Sequence, residues 1–394
     1  MAGIMRDKLL VDLLSRTLYE VVERCLPVEL AFKRACKLLK AKLGYGEREL
    51  AYEKARSIVS DYMKLLCITG SKVRSYRELV RLWFNVESLK TPLPPYCQLS
   101  YNAWFYGRIV GLLGREEGEA MLRSLNRRNL WLRVNTLKAS VESVLRDLER
   151  EGVDYEDDKH FYYMVKILSS PKPLRQLRIV KEFKAIIHDK ASAAVVEVLK
   201  PEPEDVIIDV TAAPGIKTSL AMMLTENRAR IVAADIDVKR LKVMKVLLRK
   251  YGVNTSRVEL VAADSAYINI RNCNVKVMLD APCSNTGAVG KDPSIKIHTS
   301  HSVVEYYSNI QRRLLENAVK LCNLIVYSTC SVMPEEGELV VKAVVDRCSG
   351  LKLVKALPWA SPGYNVVVFR DKLMRLFPHI HGTEGFFIAL ILHR

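Results

Sequence analysis

"VIIDVTAAPGIKTSLAM", Val206 to Met222, is the stretch from which the architecture can be read. Its first part is short, apolar and β-branched, and it ends on an acid, Asp209, so it reads as a buried strand. The small residues Ala212, Ala213 and Gly215 come next, and they let a ligand approach the backbone closely. A helix is expected from near Lys217. The same rhythm recurs downstream. Strand candidates are "RIVAAD" (230–235), "RVELVAAD" (257–264), "VKVMLD" (275–280), "NLIVYST" (323–329) and "GFFIALIL" (385–392). Amphipathic helices such as "KRLKVMKVLLRKYG" lie between them. This alternation predicts an α/β domain with a mostly parallel sheet covered on both faces, whose ligands bind beyond the carboxyl ends of the strands.

Upstream the periodicity changes. Residues 5–90 carry apolar positions at helical spacing, and "KTPLPPYCQLS" (90–100) reads as an extended, Pro-rich linker. Helical spacing returns before "LWLRVNTLK" (130–138), which alternates like a strand. Beyond it lie a helix over "SVESVLRDLEREG" and a second strand in "FYYMVKIL". The expected domains are therefore 1–92, all-helical; 93–195, a helical linker plus a small α+β module resembling an RNA-binding sheet; and 196–394, the α/β domain.

The chain has 394 residues and a net charge of +17. The excess is spread along the chain and heaviest towards its N-terminal end, which suits a polyanion such as nucleic acid. Nine cysteines occur at irregular spacing without a zinc pattern. A reduced, cytoplasmic setting with no metal is expected. Residues 1–20 hold no signal-peptide core, and no apolar run is long enough to span a bilayer, so no membrane partner is expected.

The loop after Asp209 distinguishes three ligands. A phosphate loop needs glycine where Val210 stands, and Ile216 separates Gly215 from Lys217. A dinucleotide loop needs three glycines. S-adenosylmethionine has no pyrophosphate and needs fewer. Its ribose calls for a carboxylate at the end of the second strand, Asp235, and its adenine can meet Asp264 at the end of the third. One strand-end acid alone would more often cap a helix; three in succession, with Asp209, are more specific. Two thiols add a reaction. Cys283 comes directly after "LDAP" and Cys330 ends "YSTC", each in a loop just past a strand. The other free thiols, Cys273, Cys322 and Cys348, read as small buried hydrophobes. Carbon 5 of cytosine is a poor nucleophile until a thiolate adds to carbon 6. An acid near N3, suited to Asp280, assists that addition by holding a proton there.

With those motifs in view, the sequence resembles the Sun (NOL1/NOP2/Sun, Fmu-like) family of RNA cytosine-5 methyltransferases over nearly its whole length. The matching stretches are "LWLRVNTLK", "HDKASAAVVEVLKPEPEDVIIDVTAAPGIKTS", "VMLDAPCSNTGAVGKDPSIK", "QRRLLENAVKLCNLIVYSTCSVMPEEGELVV" and "LFPHIHGTEGFFIALILHR". The resemblance implies a Rossmann-like class I methyltransferase domain. It implies Cys330 as nucleophile, Cys283 as the thiol that assists product release, and Asp280 as the third catalytic group. S-adenosyl-L-methionine is the implied cofactor, held by Thr211, Ala212, Ala213, Pro214, Gly215, Ile216, Lys217, Asp235, Asp264 and Asp280. The segment 1–92 is similar to the NusB-like RNA-binding domain of some members. Departures from the family pattern are Thr211 for cysteine, Ile216 and Asn285 for glycine, His188 for glutamine, and Cys322-Asn323 for a Gly-Gly turn. An rRNA or tRNA partner is expected, gripped by Arg127, Arg128, Arg133 and Lys138, with the protein a monomer. Two other readings stay open on the residues: a non-catalytic RNA-binding or ribosome-assembly factor that keeps this fold, and a DNA methyltransferase in which Cys283 attacks.

Overall fold

The computed structural model describes residues 2–70, 75–85, 92–269 and 275–393. Cys273, expected to be buried, lies outside them. The chain divides into two compact units. One comprises Met1–Arg128 with Ser284–Val303, and the other Asn129–Cys283 with Val304–Arg394.

The first unit is helical. Ala2–Val22, Val28–Leu38, Tyr45–Ser60, Tyr62–Thr69 and Tyr76–Phe84 bury Leu14, Leu18, Val21, Phe32, Ala55, Ile58, Leu65 and Leu79 in one core. The i, i+4, i+7 spacing of Leu14, Leu18 and Val21 puts one face of the first helix into that core. The Pro-rich stretch expected to be extended holds one helical turn, Pro95–Gln98, with proline at its start, where the missing N–H costs nothing. Further helices are Ala103–Leu113 and Arg115–Leu125. Cys67 and Cys97 form a disulfide, with Cα atoms 6.1 Å apart. The pair stands against the reduced setting expected from the cysteine spacing. Irregular spacing hid the pair because its two halves meet only when Tyr62–Thr69 packs near Pro95–Gln98.

Segment 284–303 is held in this helical unit by buried polar contacts. Arg56 donates to the carbonyls of Gly290 (2.6 Å) and Lys291 (2.5 Å). Lys296, fully buried, donates to Asn126 (2.8 Å) and Ser60 (3.3 Å). Burial pulls its ammonium down to about 7. A Cβ on Gly290 would lie 2.0 Å from the Arg127 carbonyl oxygen, so only glycine allows this approach.

The second unit contains two sheets. The smaller has four strands, β1 (Leu130–Val134), β2 (Asp154–Asp157), β3 (Met164–Ser169) and β4 (Ala185–Ile187), in the order β2-β3-β1-β4. The pairings are antiparallel. The helix Val141–Arg150 starts where expected, with the Ser140 hydroxyl accepting from Ser143 N. The larger sheet contains β5 (Val206–Asp209), β6 (Arg230–Asp235), β7 (Val258–Ala262), β8 (Lys276–Asp280), β9 (Leu324–Thr329), β10 (Leu351–Val354), β11 (Met374–Leu376) and β12 (Phe386–His393). Its order is β10-β12-β9-β8-β5-β6-β7, with β11 beside β12. Strands β5 to β9 run parallel to one another, and β12 runs antiparallel to β9. The apolar runs of β5, β8 and β9 are buried, as strands covered on both faces must be.

Candidate active site

The carboxyl ends of β8 and β9 are in register, Asp280 opposite Ser328. The Ser328 hydroxyl donates to Asp280 Oδ1 (2.8 Å), and the Lys217 ammonium donates to Asp280 Oδ2 (2.5 Å). Cys283 and Cys330 lie in the loops just past these two strands and bring their Sγ atoms to 3.2 Å. Neither sulfur is in a disulfide; Cys283 is buried and Cys330 half-buried. Lys217 was expected among the cofactor contacts, yet its ammonium meets Asp280. Burial pulls this ammonium down, but the Asp280 carboxylate more than offsets that, and the net shift is upward.

The loop from β5 to the helix Ile216–Leu224 lies at the same strand ends. Thr211 Oγ1 donates to the Asp280 carbonyl (2.9 Å). Ala212 and Ala213 are buried, and Ala213–Pro214 is a cis peptide. Gly215 has φ +96°, and a Cβ there would meet Met244 Cγ at 2.8 Å. Ile216 is the first residue of the helix and has no positive φ. The turn therefore demands glycine at 215 only. Asp235 Oδ2 accepts from Ala213 N (3.1 Å) and meets Arg240 (3.3 Å), while Oδ1 accepts from Asp237 N (3.0 Å). It is Asp237 that caps the next helix, leaving Asp235 to face the loop. Asp264 is exposed and accepts from Ala266 N (3.0 Å). Asp209 is buried beneath them and accepts from Thr218 Oγ1 (2.7 Å). Burial lifts its carboxyl to about 7.

Comparison with known proteins identifies a family. The family 16S rRNA methyltransferase RsmB/F matches residues 196–392, and its ferredoxin-like domain matches 101–173. This chain belongs to the RsmB/F methyltransferase family. Ribosomal RNA small subunit methyltransferase B of Shewanella oneidensis is 28% identical, over 78% of this chain and 71% of that protein. The tRNA (cytosine(49)-C(5))-methyltransferase of Pyrococcus abyssi is 32% identical, over 66% and 86%. The chain spans about half the length of some longer relatives, such as 46% of the 25S rRNA (cytosine-C(5))-methyltransferase nop2 of Schizosaccharomyces pombe. Among solved structures, PH0851 superimposes with a TM-score of 0.80 at 25% identity, covering 98% of each chain.

Within this RsmB/F chain, one predicted RNA contact is corrected. Arg133 is fully buried. Its guanidinium donates to the Ile216 carbonyl (3.0 Å) and the Ser219 hydroxyl (2.8 Å), and lies 3.5 Å from His188 Nδ1. Burial pulls it down to about 10. A cation in this position cannot touch phosphate; it pins the first turn of the cofactor-loop helix to β1. Lys138 is exposed, with its ammonium on the Glu182 and Lys250 carbonyls (2.7 and 3.2 Å). Arg127 and Arg128 are exposed in the first unit. Asn285, expected as a glycine substitute, has φ +57°, a conformation asparagine tolerates better than most residues. Asn323 does not take a left-handed conformation.

The sequence reading missed a buried network that shapes the Cys330 loop. Arg375 donates to the Ser331 carbonyl (2.7 Å) and makes a bidentate pair with Glu338, both side chains fully buried. Glu336 accepts from Ser331 Oγ (2.5 Å) and from Gln311 Nε2 (3.1 Å). Gln311 also donates to the Pro282 carbonyl (2.8 Å), so one amide serves both thiol loops. Nothing local in "PEEGELVV" marks its acids as buried.

Proposed function

We propose that this chain is an S-adenosylmethionine-dependent RNA (cytosine-5) methyltransferase that acts on rRNA or tRNA through a covalent cysteine–cytosine adduct. The observation that carries this reading is the 3.2 Å approach of the Cys283 and Cys330 sulfurs beside Asp280. The residues at the loop fit the cofactor: the small side chains of Ala212 and Ala213 add little bulk, and the Ala213 N–H ties the loop to Asp235. Asp235 Oδ1, which accepts from Asp237 N, keeps a lone pair for a ribose hydroxyl. Asp264 is exposed, as an adenine contact must be. When bound, S-adenosylmethionine supplies an electrophilic methyl group on a sulfonium centre.

The protein's own groups divide the work. The Cys330 thiolate adds to carbon 6 of a flipped cytosine, and the displaced π electrons make carbon 5 nucleophilic. Asp280, oriented by Lys217 and Ser328, holds a proton at N3 during that addition. After methylation the Cys283 thiolate takes the carbon-5 proton, the C5=C6 double bond reforms and Cys330 leaves as a thiolate. Cys283, in contact with the departing sulfur, assists this step. The partial exposure of Cys330 and the burial of Cys283 favour this order over attack by Cys283. The NusB-like segment 1–92, together with Arg127, Arg128 and Lys138, grips the RNA of a monomeric enzyme.

Cys330→Ala is expected to abolish methylation of total RNA, and Cys283→Ala to trap an RNA–protein adduct that survives denaturing electrophoresis. Full turnover by the Cys330→Ala protein would end the assignment. Bisulfite sequencing of RNA from cells with and without the gene identifies the molecule and the nucleotide.

A further inference from the structure

A second cavity, of about 410 Å³, opens in the second unit outside the thiol site. One part of its lining is aromatic: His160 stacks on Trp359 with centroids 4.2 Å apart and planes at 22°. The stack has a built base. Lys190, 5% exposed, is ion-paired with Asp158. Its ammonium also contacts His160 Nδ1 (3.0 Å) and lies 4.8 Å from the Trp359 centroid. Burial and the adjacent Lys190 charge hold the His160 imidazole below its ordinary value. The remainder of the lining includes Asp157, Lys159 and Lys166. Asp157 and Lys159 make no ion pair among the described residues, whereas Lys166 lies 3.9 Å from Glu156.

The cavity is linked to the reactive edge of the large sheet. Asp189, the neighbour of Lys190, caps the helix Lys190–Leu199 and accepts from Glu384 N (3.1 Å). Two residues further on, the Phe386 ring lies 5.6 Å from the ammonium of Lys217, the partner of Asp280. Nothing in the methyl-transfer chemistry uses this cavity.

We propose that it takes a guanine of the RNA substrate, at a nucleotide other than the cytosine that is methylated. The proposal rests on the RNA methyltransferase reading. An aromatic wall suits the face of any base. The charged lining selects among them. Guanine alone presents two adjacent donors, N1–H and the N2 amino group, which match one carboxylate such as Asp157. It also presents the acceptors O6 and N7, which match an ammonium such as Lys159 or Lys166. Adenine, cytosine and uracil each place an acceptor beside the donor on the pairing edge, so a carboxylate repels part of that edge. The cavity carries as many acids as lysines, Glu156, Asp157 and Asp158 against Lys159, Lys166 and Lys190. It therefore has no net attraction for phosphate itself.

The test titrates the full-length protein with guanosine, adenosine, cytidine and uridine 5′-monophosphates, read by tryptophan fluorescence. Guanosine monophosphate is expected to bind about ten-fold more tightly than the others, the factor one good bidentate base contact supplies. Asp157→Asn, on an exposed side chain, is expected to erase that preference. Trp359→Phe is expected to weaken the signal, since Trp131 also lines the cavity. Equal affinities, no binding, or a preference that survives Asp157→Asn overturns the proposal; the last result would locate the nucleotide elsewhere, at the cofactor loop for instance. Methyl transfer to total RNA is measured on the same preparations. Transfer without guanine preference sinks the cavity proposal alone, and guanine preference without transfer sinks the enzyme assignment alone.

Discussion

Asp209 shows how a single residue can be read by type and misjudged by state. Its position at a strand end was legible; its protonation was not, because burial is a property of the folded sheet. The folded carboxyl titrates near 7, raised above its ordinary value of 3.8 mainly by desolvation. Between those values the folded chain binds more protons than the unfolded one, so this group's contribution to stability falls as pH rises through the window and is level above it. Asp209→Asn removes the effect. Thermal melts at pH 5 and pH 8 are expected to show the variant gaining on the wild type as pH rises; a pH-independent difference would contradict the assignment. Asp280, by contrast, lies at a strand end where two donors, Lys217 Nζ and Ser328 Oγ, fix the direction of its carboxylate oxygens.

At the scale of the element, the loop after β9 matters most. Three residues hold it from outside its own segment: Arg375 on β11, Glu338 at a helix start and Gln311 on the long helix His301–Leu321. Removing Arg375 alone leaves Glu338 charged and buried, a defect that costs about 3–5 kcal/mol. Arg375→Met is therefore expected to shift urea denaturation by that amount, and the double variant Arg375→Met/Glu338→Leu to recover most of it. A double variant no more stable than the single one would show that packing, and not the orphaned charge, sets the cost. The strands that sequence reading missed, β2, β4, β10 and β11, have three or four residues each. In "DYED" of β2 there is no apolar alternation to see, since a largely exposed edge strand buries little.

For the whole molecule, charge and cross-linking give the measurable properties. The disulfide Cys67–Cys97 closes a span of 30 residues. Loop-closure entropy assigns it roughly 3–4 kcal/mol. Urea unfolding with and without dithiothreitol is expected to differ by about that much, and an unchanged midpoint would show the bridge to be idle. The net charge of +17 predicts salt-dependent RNA binding. Charge-neutral substitution of Arg127 and Arg128 is expected to weaken binding and to flatten the log–log salt slope by about 0.7 per lost phosphate contact. An unchanged slope would remove these two arginines from the interface.

The amino-acid sequence by itself determined which stretches of the α/β domain are its main strands, the small-residue loop, the strand-end acids and the two thiols. Each of these is a local pattern, set by side-chain period and by the residue types just past a strand end. The tertiary structure alone decided the rest. Periodicity carries no direction, so the antiparallel course of β12 was not legible. Nor does residue type report burial, so Arg133 read as a phosphate contact until its guanidinium was found under the cofactor loop. Segment 284–303 joined the helical unit, and Cys67 joined Cys97, through contacts between residues far apart in sequence, where no local pattern specifies the partner.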